Sequence, residues 1–137
     1  MKRSGFTLIE LMIVVVIIVA LASMVVPRLS GRTEQAKKAV AKADISSNIS
    51  MALKLYELDN GNFPTTEQGL EALTSAPSSA PVPSNWNGPY IENVPLDPWG
   101  NAYKYKCPGT SNKATYDLYS MGKDALEGTD DDIKNWS

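Results

Sequence analysis

An apolar run dominates the start of the chain, from Phe6 to Val26. At about 1.5 Å of rise per residue, a helix of this length spans the roughly 30 Å hydrocarbon core of a bilayer. Lys2 and Arg3 precede the run, and the positive-inside rule then places the N-terminus in the cytoplasm and the rest of the chain on the far side. The pattern therefore predicts a membrane-spanning helix over 6–26.

One acidic residue, Glu10, lies inside this run, where a carboxylate facing lipid would cost about 2.5–3.5 kcal/mol or more. A secretory signal peptide is one alternative, because Ala20-Leu21-Ala22 could be a signal peptidase site, but the apolar run is longer than usual and continues beyond that site. A buried helix of a soluble core would need a larger domain to cover it. A plain membrane anchor explains the length of the run but leaves Glu10 unexplained.

A cut between Gly5 and Phe6 would give Glu10 a purpose. Cleavage there creates a new α-amino group on Phe6, and Glu10 lies one helical turn away on the same face. Between neighbouring copies, the amine and the carboxylate can pair in trans, which neutralises the acid and favours packed helices over isolated ones. The sequence therefore predicts residues 1–5 as a cleaved leader and 6–26 as a transmembrane and assembly helix.

Beyond the apolar run the chain becomes polar but keeps a helical period. Pro27 and Gly31 predict a kink or short break near the membrane exit. Apolar residues then recur at spacings of four, four and three, at Ile45, Ile49, Leu53 and Tyr56. They predict a helical stem over 27–58 whose apolar stripe packs on a globular head, with Asn60-Gly61 ending the helix.

The head is predicted to comprise residues 59–137 and to begin with a short helix and a loop. Thr65 and Gln68 have the spacing of a capping box at the start of that helix. The stretch 75–87 is rich in Pro and Ser, which predicts a surface loop that Trp86 holds against the head.

Two strands are predicted in the second half of the head. Residues 100–107 alternate, with Tyr103, Tyr105 and Cys107 on one side. Residues 116–121 form the second candidate, and a turn-rich segment joins the two. We expect an antiparallel hairpin packed against the stem helix, which makes the fold class α+β, and we expect Cys107 to be a small buried apolar residue.

Composition narrows the classes of function. The chain has 137 residues, a net charge of −2, a single cysteine and no histidine. An intramolecular disulfide, a Cys/His zinc site and His-based acid–base catalysis are therefore excluded. No basic cluster of the kind that neutralises phosphates is present, so nucleic acid is not an expected partner. A role other than catalysis is favoured.

The segment Gly5-Phe6-Thr7-Leu8-Ile9-Glu10 resembles the processing site and N-terminal helix of type IV pilins and pseudopilins. In that class a prepilin peptidase cuts after the glycine and methylates the new N-terminal phenylalanine. The segments NFPTTEQGL (62–70), GPYI (88–91), PLDPWGN (95–101) and YDLYS (116–120) resemble, in the same order, the major pseudopilin of type II secretion systems. The implied fold is type IV pilin-like.

The resemblance implies a non-enzymatic subunit of the cell inner membrane with a periplasmic head. Such a subunit polymerises into a periplasmic fibre, the pseudopilus, which helps export folded proteins across the outer membrane, and its partners are copies of itself, minor pseudopilins and an inner-membrane assembly platform. The alternative is a type IV pilus major pilin, against which the missing cysteine pair and the aspartate-rich end argue. A membrane-tethered periplasmic binding or enzymatic domain is a further alternative, for which no catalytic constellation is visible.

The C-terminal end is rich in aspartate, at Asp124 and Asp130–Asp132, and Gly128 permits a tight turn. Such hard oxygen ligands suit calcium rather than zinc or copper, although the EF-hand spacing is missing. By composition alone, a solvated acidic tail explains the cluster. Against that, Ile133 and Trp136 follow at once and could dock to close the loop.

The pseudopilin resemblance implies that this loop binds calcium. The implied ligand candidates are the Met121 carbonyl, Asp124, Asp130, Asp131 and Asp132. Ala125 stands where the family commonly has a glycine, and which of the three consecutive aspartates bind stays open.

Overall fold

The computed structural model describes residues 5–137, and for residues 28 and 29 the backbone alone. The predicted leader therefore lies outside the described residues except for Gly5. The elements in chain order are helix α1 (Leu8–Ala43), a π-helical segment (Asp44–Asn48), helix α2 (Ile49–Asn60), a 3₁₀ helix (Leu70–Leu73) and strands β1 (Lys104–Lys106), β2 (Asp117–Ser120) and β3 (Ile133–Lys134). The chain divides into two compact units, with the division between residues 36 and 37.

The N-terminal unit is the apolar part of α1. Among the described residues, the helical stretch that includes it is the one long and apolar enough to cross a membrane, with a mean hydropathy of 3.0 in its most apolar window. Every large apolar side chain from Leu8 to Val26 is exposed, from 49% at Val14 to 80% at Leu8. An apolar surface on all sides is typical of a helix that lipid or other helices surround.

Pro27 lies inside α1, and the helix continues through Gly31 to Ala43. The helix therefore does not break there, and of the predicted kink or break only the kink stays a prediction. Proline removes one N–H donor, the one that would bond the Ser23 carbonyl four residues back, and membrane-spanning helices tolerate such a loss.

The C-terminal unit is built around the predicted helical stripe. Ile45, Ile49, Leu53 and Tyr56 are each 2% exposed or less. They pack with residues of the 3₁₀ helix, of β2 and of the positions just before β1 and β2, namely Leu70, Ala72, Leu73, Leu118, Tyr103 and Tyr116. The stripe and its packing role are confirmed. Helix α2 ends two residues beyond the predicted end, where Gly61 adopts a left-handed conformation (φ 80°) and donates its N–H to the Glu57 carbonyl at 2.7 Å.

The π-helical segment was not predicted, and the spacing of the buried residues explains it. Ala41, Ile45, Ile49 and Leu53 follow one another at steps of four, and each such step overshoots a 3.6-residue turn by about 40°. A π turn is wider and takes up an extra residue, so it brings the stripe back towards the core.

Two tyrosines of the sheet region hold this segment. Tyr103 Oη donates to Asp44 Oδ2 at 2.8 Å, at the start of the π turn. Tyr116 Oη donates to Ser50 Oγ at 3.0 Å, and Ser50 Oγ donates to the Ile45 carbonyl at 2.6 Å, five residues back. The wide turn therefore has tertiary partners that the sequence pattern does not reveal.

The sheet is antiparallel with strand order β1-β2-β3. The hairpin is confirmed, and in it Lys104 pairs with Tyr119 and Lys106 with Asp117. The strands are shorter than predicted, because residues 97–101 form a turn in which the Asp97 N–H donates to the Asn101 carbonyl at 2.8 Å. The third strand was predicted only as a docking segment, and Ile133 pairs there with Ser120.

The loops of the C-terminal unit follow the predictions closely. The Thr65 N–H donates to Gln68 Oε1 at 3.0 Å, and the Gln68 N–H donates to Thr65 Oγ1 at 3.2 Å, which confirms the capping box. Trp86 Nε1 donates to the Ala72 carbonyl at 2.9 Å and holds the Pro-rich loop.

Cys107 is half-buried rather than buried, because it follows the last residue of β1. Burial raises the pKa of its thiol.

Candidate functional site

The start of α1 contains a second capping box. The Thr7 N–H and the Thr7 hydroxyl both donate to Glu10 Oε2, at 3.0 and 2.9 Å. The Glu10 N–H donates in return to Thr7 Oγ1 at 3.3 Å. The T-x-x-E spacing at 7–10 is the sequence signature of this motif, but the prediction used Glu10 only as a partner for an amine. Glu10 therefore caps its own helix.

Gly5 and Phe6 lie just before the helix begins, and Phe6 is 83% exposed. Both hydrogen bonds that the Glu10 carboxylate accepts within the described residues go to Oε2. The cap therefore uses one carboxylate oxygen and leaves Oε1 for a donor on another chain. This arrangement is compatible with the predicted pairing to a neighbour's amine.

The acidic loop, residues 121–132, connects β2 to β3, and Asp131 occupies its interior. Asp131 Oδ2 accepts from the Lys123 N–H at 2.7 Å and from the Asp124 N–H at 3.2 Å. Asp131 Oδ1 accepts from the Thr129 hydroxyl at 2.6 Å. The Thr129 hydroxyl, together with the backbone N–H groups, lowers the pKa of Asp131 to about 2. Asp131 is therefore ionised at neutral pH and closes the loop on itself.

Asp132 is the most enclosed acid of the loop, with a side chain 1% exposed. Its Oδ2 accepts from the Gly128 N–H at 2.8 Å and lies 3.4 Å from Lys134 Nζ. Its Oδ1 is buried and has no hydrogen-bond partner among the described residues. Asp132 also lines a cavity of about 140 Å³ together with Tyr119 and Trp136. A buried carboxylate oxygen of this kind is costly unless another group binds it.

The other candidate ligands are less enclosed. Asp124 and Asp130 are exposed, and Asp124 Oδ1 accepts from the Leu126 N–H at 2.9 Å. Ala125, between them in the turn, has φ 55°, a left-handed conformation that glycine adopts without strain. Asp131 contacts the backbone of Asp124 rather than its carboxylate.

The candidate ligands fit calcium in part. All are oxygen donors, which calcium prefers, and the unpartnered Asp132 Oδ1 is an atom that a cation would satisfy. Within residues 5–137, however, no three acidic, histidine or cysteine side chains converge into a ready-made metal site. Both oxygens of Asp131 are already occupied by donors of the loop. A metal would therefore need Asp124 and Asp130 to turn inward.

A buried network at the base of the loop was not foreseen. Ser120 Oγ donates to Asp97 Oδ2 at 2.6 Å and accepts from the Gly122 N–H at 3.1 Å. Asp97 Oδ1 accepts from the N–H groups of Trp99 and Asn101, at 3.1 and 2.8 Å. The segment 95–101 contributed to the family resemblance, but nothing in its pattern indicates that its aspartate reaches β2. The network ties the first turn of the acidic loop to the turn at 97–101.

The chain begins with a long helix whose first, apolar stretch carries one acid. From residue 37 onward, this helix packs on a small antiparallel sheet. This is the arrangement of type IV pilin-like proteins. The profile of the family "Type II secretion system (T2SS), protein G" matches residues 28–136, and that of the "Prokaryotic N-terminal methylation motif" matches residues 1–26. The chain belongs to the type II secretion system protein G family.

Individual relatives agree with this assignment. The chain is 52% identical to the type II secretion system core protein G of Pseudomonas aeruginosa, over 98% of this chain and 96% of that protein. It is 50% identical to the core protein G of Escherichia coli K12, over 98% of this chain and 92% of that protein.

A solved structure gives the same answer. The crystal structure of the major pseudopilin from the type 2 secretion system of enterohaemorrhagic Escherichia coli superposes with a TM-score of 0.71 at 39% identity, covering 79% of this chain and 89% of that one. The resemblance drawn from the sequence is confirmed, and the chain is a pseudopilus subunit of a type II secretion system. This is the family of a structural subunit, as the composition favoured.

Proposed function

We propose that this chain is the polymerising subunit of the pseudopilus, anchored in the inner membrane by residues 6–26 with its head in the periplasm. The observation that carries the proposal is the exposure of every large apolar side chain from Leu8 to Val26. Exposing such an apolar surface to water is unfavourable, so either lipid or neighbouring helices must cover it. The same surface therefore serves the membrane before assembly and the fibre after it.

Glu10 gives the helix a preference for neighbours over lipid. Its Oε2 caps the helix through Thr7, and a second oxygen remains for the Phe6 amine of another copy. In lipid the carboxylate is costly, whereas beside a cation it is neutralised. Polymerisation would then follow cleavage, because the amine exists only after the leader has been removed.

Processing by a prepilin peptidase is the first step of this proposal. The match of residues 1–26 to the methylation motif supports a cut between Gly5 and Phe6 and N-methylation of Phe6. Intact-mass spectrometry of the mature chain tests it. The expected mass is that of residues 6–137 plus one methyl group, whereas a chain that begins at Ser23 would indicate a signal peptide and end the proposal. Minor pseudopilins and an inner-membrane assembly platform complete the proposed set of partners.

We further propose that calcium binds the acidic loop. The supporting observation is Asp132 Oδ1, which is buried without a hydrogen-bond partner among residues 5–137, on a side chain that is 1% exposed. Asp124, Asp130 and the Met121 carbonyl are the additional ligands, and the two exposed carboxylates must turn inward to reach the ion. The expected chemistry is structural, since a cation would neutralise like charges that the loop crowds together.

Calorimetric titration of the full chain in detergent tests the calcium proposal. Calcium should bind with one site per chain, and magnesium should bind more weakly because it demands a tighter octahedral shell. Asp132→Asn should lower the calcium affinity, and Glu92→Gln, which removes an exposed charge outside the loop, should not. No heat of calcium binding to the wild-type chain would return the loop to a solvated acidic segment.

A further inference from the structure

Both oxygens of the Asp131 carboxylate accept hydrogen bonds from donors of its own loop. It accepts from two consecutive backbone N–H groups, those of Lys123 and Asp124, and from the Thr129 hydroxyl. These donors come from both sides of the turn at Gly128. Lys123 and Asp124 precede the turn, and Thr129 follows it. One side chain therefore joins the outgoing and returning halves of the loop.

The backbone around Gly122 is shaped to admit this carboxylate. Gly122 has φ 66°, and a Cβ built on it would lie 2.5 Å from both the Asp131 carbonyl oxygen and Asp131 Oδ2. No other residue type fits there without displacing Asp131. Gly122 also donates its N–H to Ser120 Oγ, so the same residue links the Asp131 contact to the base of the loop.

We propose that Asp131 is the positioning residue of the acidic loop and not a metal ligand. It fixes the backbone from Gly122 to Asp124 without any metal, and it thereby holds the Met121 carbonyl and the Asp124 side chain at the entrance of the loop. Its role as an anchor needs no cation, whereas its positioning role rests on the calcium site proposed above.

The competing assignment makes Asp131 a calcium ligand like its neighbours. A ligand carboxylate would have to give up one or more of its hydrogen bonds, and charge-assisted bonds to backbone N–H groups are among the stronger ones. The abandoned N–H groups of Lys123 and Asp124 would then need other partners. Asp132 can bind a cation through Oδ1 without giving up a hydrogen bond, since this oxygen has no partner within the described residues.

The two assignments differ in what happens without calcium. The experiment is thermal unfolding of the full chain in detergent, followed by tryptophan fluorescence, in the presence of a chelator and then of calcium. If Asp131 is the anchor, Asp131→Asn should lower the melting temperature in chelator by about 5 °C or more. Thr129→Val, which removes one donor to Asp131 and no carboxylate, should lower it in the same direction by a smaller amount.

A second readout separates positioning from plain stability. Thr129→Val should also weaken calcium binding several-fold in calorimetry at a temperature where the variant is fully folded, and Glu92→Gln should change neither quantity. An Asp131→Asn chain with the wild-type melting temperature in chelator, and a loss confined to the calcium arm, would overturn the inference and make Asp131 a ligand. If the wild-type chain binds no calcium, the calcium proposal fails, and the chelator arm still decides whether Asp131 is the anchor.

Discussion

Glu10 at the start of α1 and Asp131 in the acidic loop are held by the same kinds of donor. Each accepts from a backbone N–H and from a threonine hydroxyl nearby in the chain. They differ in how much of the carboxylate is used, because the bonds to Glu10 reach one oxygen and those to Asp131 reach both. Glu10 Oε1 therefore remains available as an acceptor for a neighbouring molecule, whereas both oxygens of Asp131 accept bonds within its own loop.

The surroundings of the two acids differ in the same sense. Glu10 lies among apolar side chains that are 49% exposed or more, so its final environment depends on what covers the helix. The acidic loop is joined to a formed sheet through Ser120 and β3, and the donors that hold Asp131 all come from its own loop. An acid whose environment is supplied by other molecules can act in assembly, and an acid whose environment is supplied by its own loop acts in stability.

The largest expected effect comes from Glu10. Glu10→Ala removes both the cap and the charge, while Glu10→Gln keeps a capping side chain at the third helical position and removes only the charge. If the charge pairs with a neighbour's amine, both variants should insert in the membrane and form few or no fibres. Electron microscopy of membranes that overexpress each variant, with fractionation to check insertion, is the measurement.

The glutamine variant decides between the two roles of Glu10. Normal fibres from Glu10→Gln together with few fibres from Glu10→Ala would assign Glu10 to capping and remove the difference drawn above. Thr7→Val is the matched variant, because it removes the reciprocal side-chain cap and leaves the carboxylate in place. It should still assemble if the charge is what matters.

A smaller effect is expected at the base of the acidic loop. Ser120→Ala leaves Asp97 Oδ2 and the Gly122 N–H without their buried partner, which costs about 1–3 kcal/mol. For a domain of about 100 residues each kcal/mol corresponds to about 4–8 °C in melting temperature. Thermal unfolding of the full chain should show this drop for Ser120→Ala and almost none for Ser78→Ala, an exposed serine. Equal melting temperatures would show that the network does not stabilise the loop.

The sequence predicts a structural feature where the residues that form it lie close together in the chain or recur at a regular spacing. The stripe at Ile45, Ile49, Leu53 and Tyr56, the capping box at Thr65 and the hairpin all have local signatures, and the structure confirms them. The π-helical segment leaves only the four-residue spacing of the buried stripe as a local trace, and its partners Tyr103 and Tyr116 are distant in sequence.

The acidic loop illustrates the limit more sharply. Composition identified a cluster of aspartates, but their individual roles depend on which oxygen meets which donor. Asp131 and Asp132 are adjacent and chemically identical, yet both oxygens of Asp131 accept hydrogen bonds and Asp132 retains a buried oxygen without a partner within the described residues. No pattern of residue types separates them. The capping role of Glu10 is the opposite case, since its T-x-x-E signature was present and was interpreted in one way only.

The smallest expected effect is the response of the folded chain to acid, and Asp117 provides the measurement. Burial raises the pKa of Asp117, but the N–H groups of Ser111, Asn112 and Thr110 outweigh burial and hold the pKa below its ordinary value of 3.8. A carboxyl group with a lowered folded pKa contributes stability that is present above pH 3.8 and is lost as the pH falls below it.

The melting temperature of the full chain should therefore fall by a few degrees more between pH 5 and pH 3 than that of Asp117→Asn, which has no carboxylate to protonate at this position. The asparagine chain should begin from a lower melting temperature at pH 5, because the N–H groups bond both carboxylate oxygens, whereas an amide has one oxygen and turns an NH2 donor towards at least one of them. Parallel acid profiles for the two chains would show that Asp117 contributes no pH-dependent stability. Such a result would also weaken the comparison with Glu10, since it would mean that an acid satisfied by its own loop need not stabilise the fold through its charge.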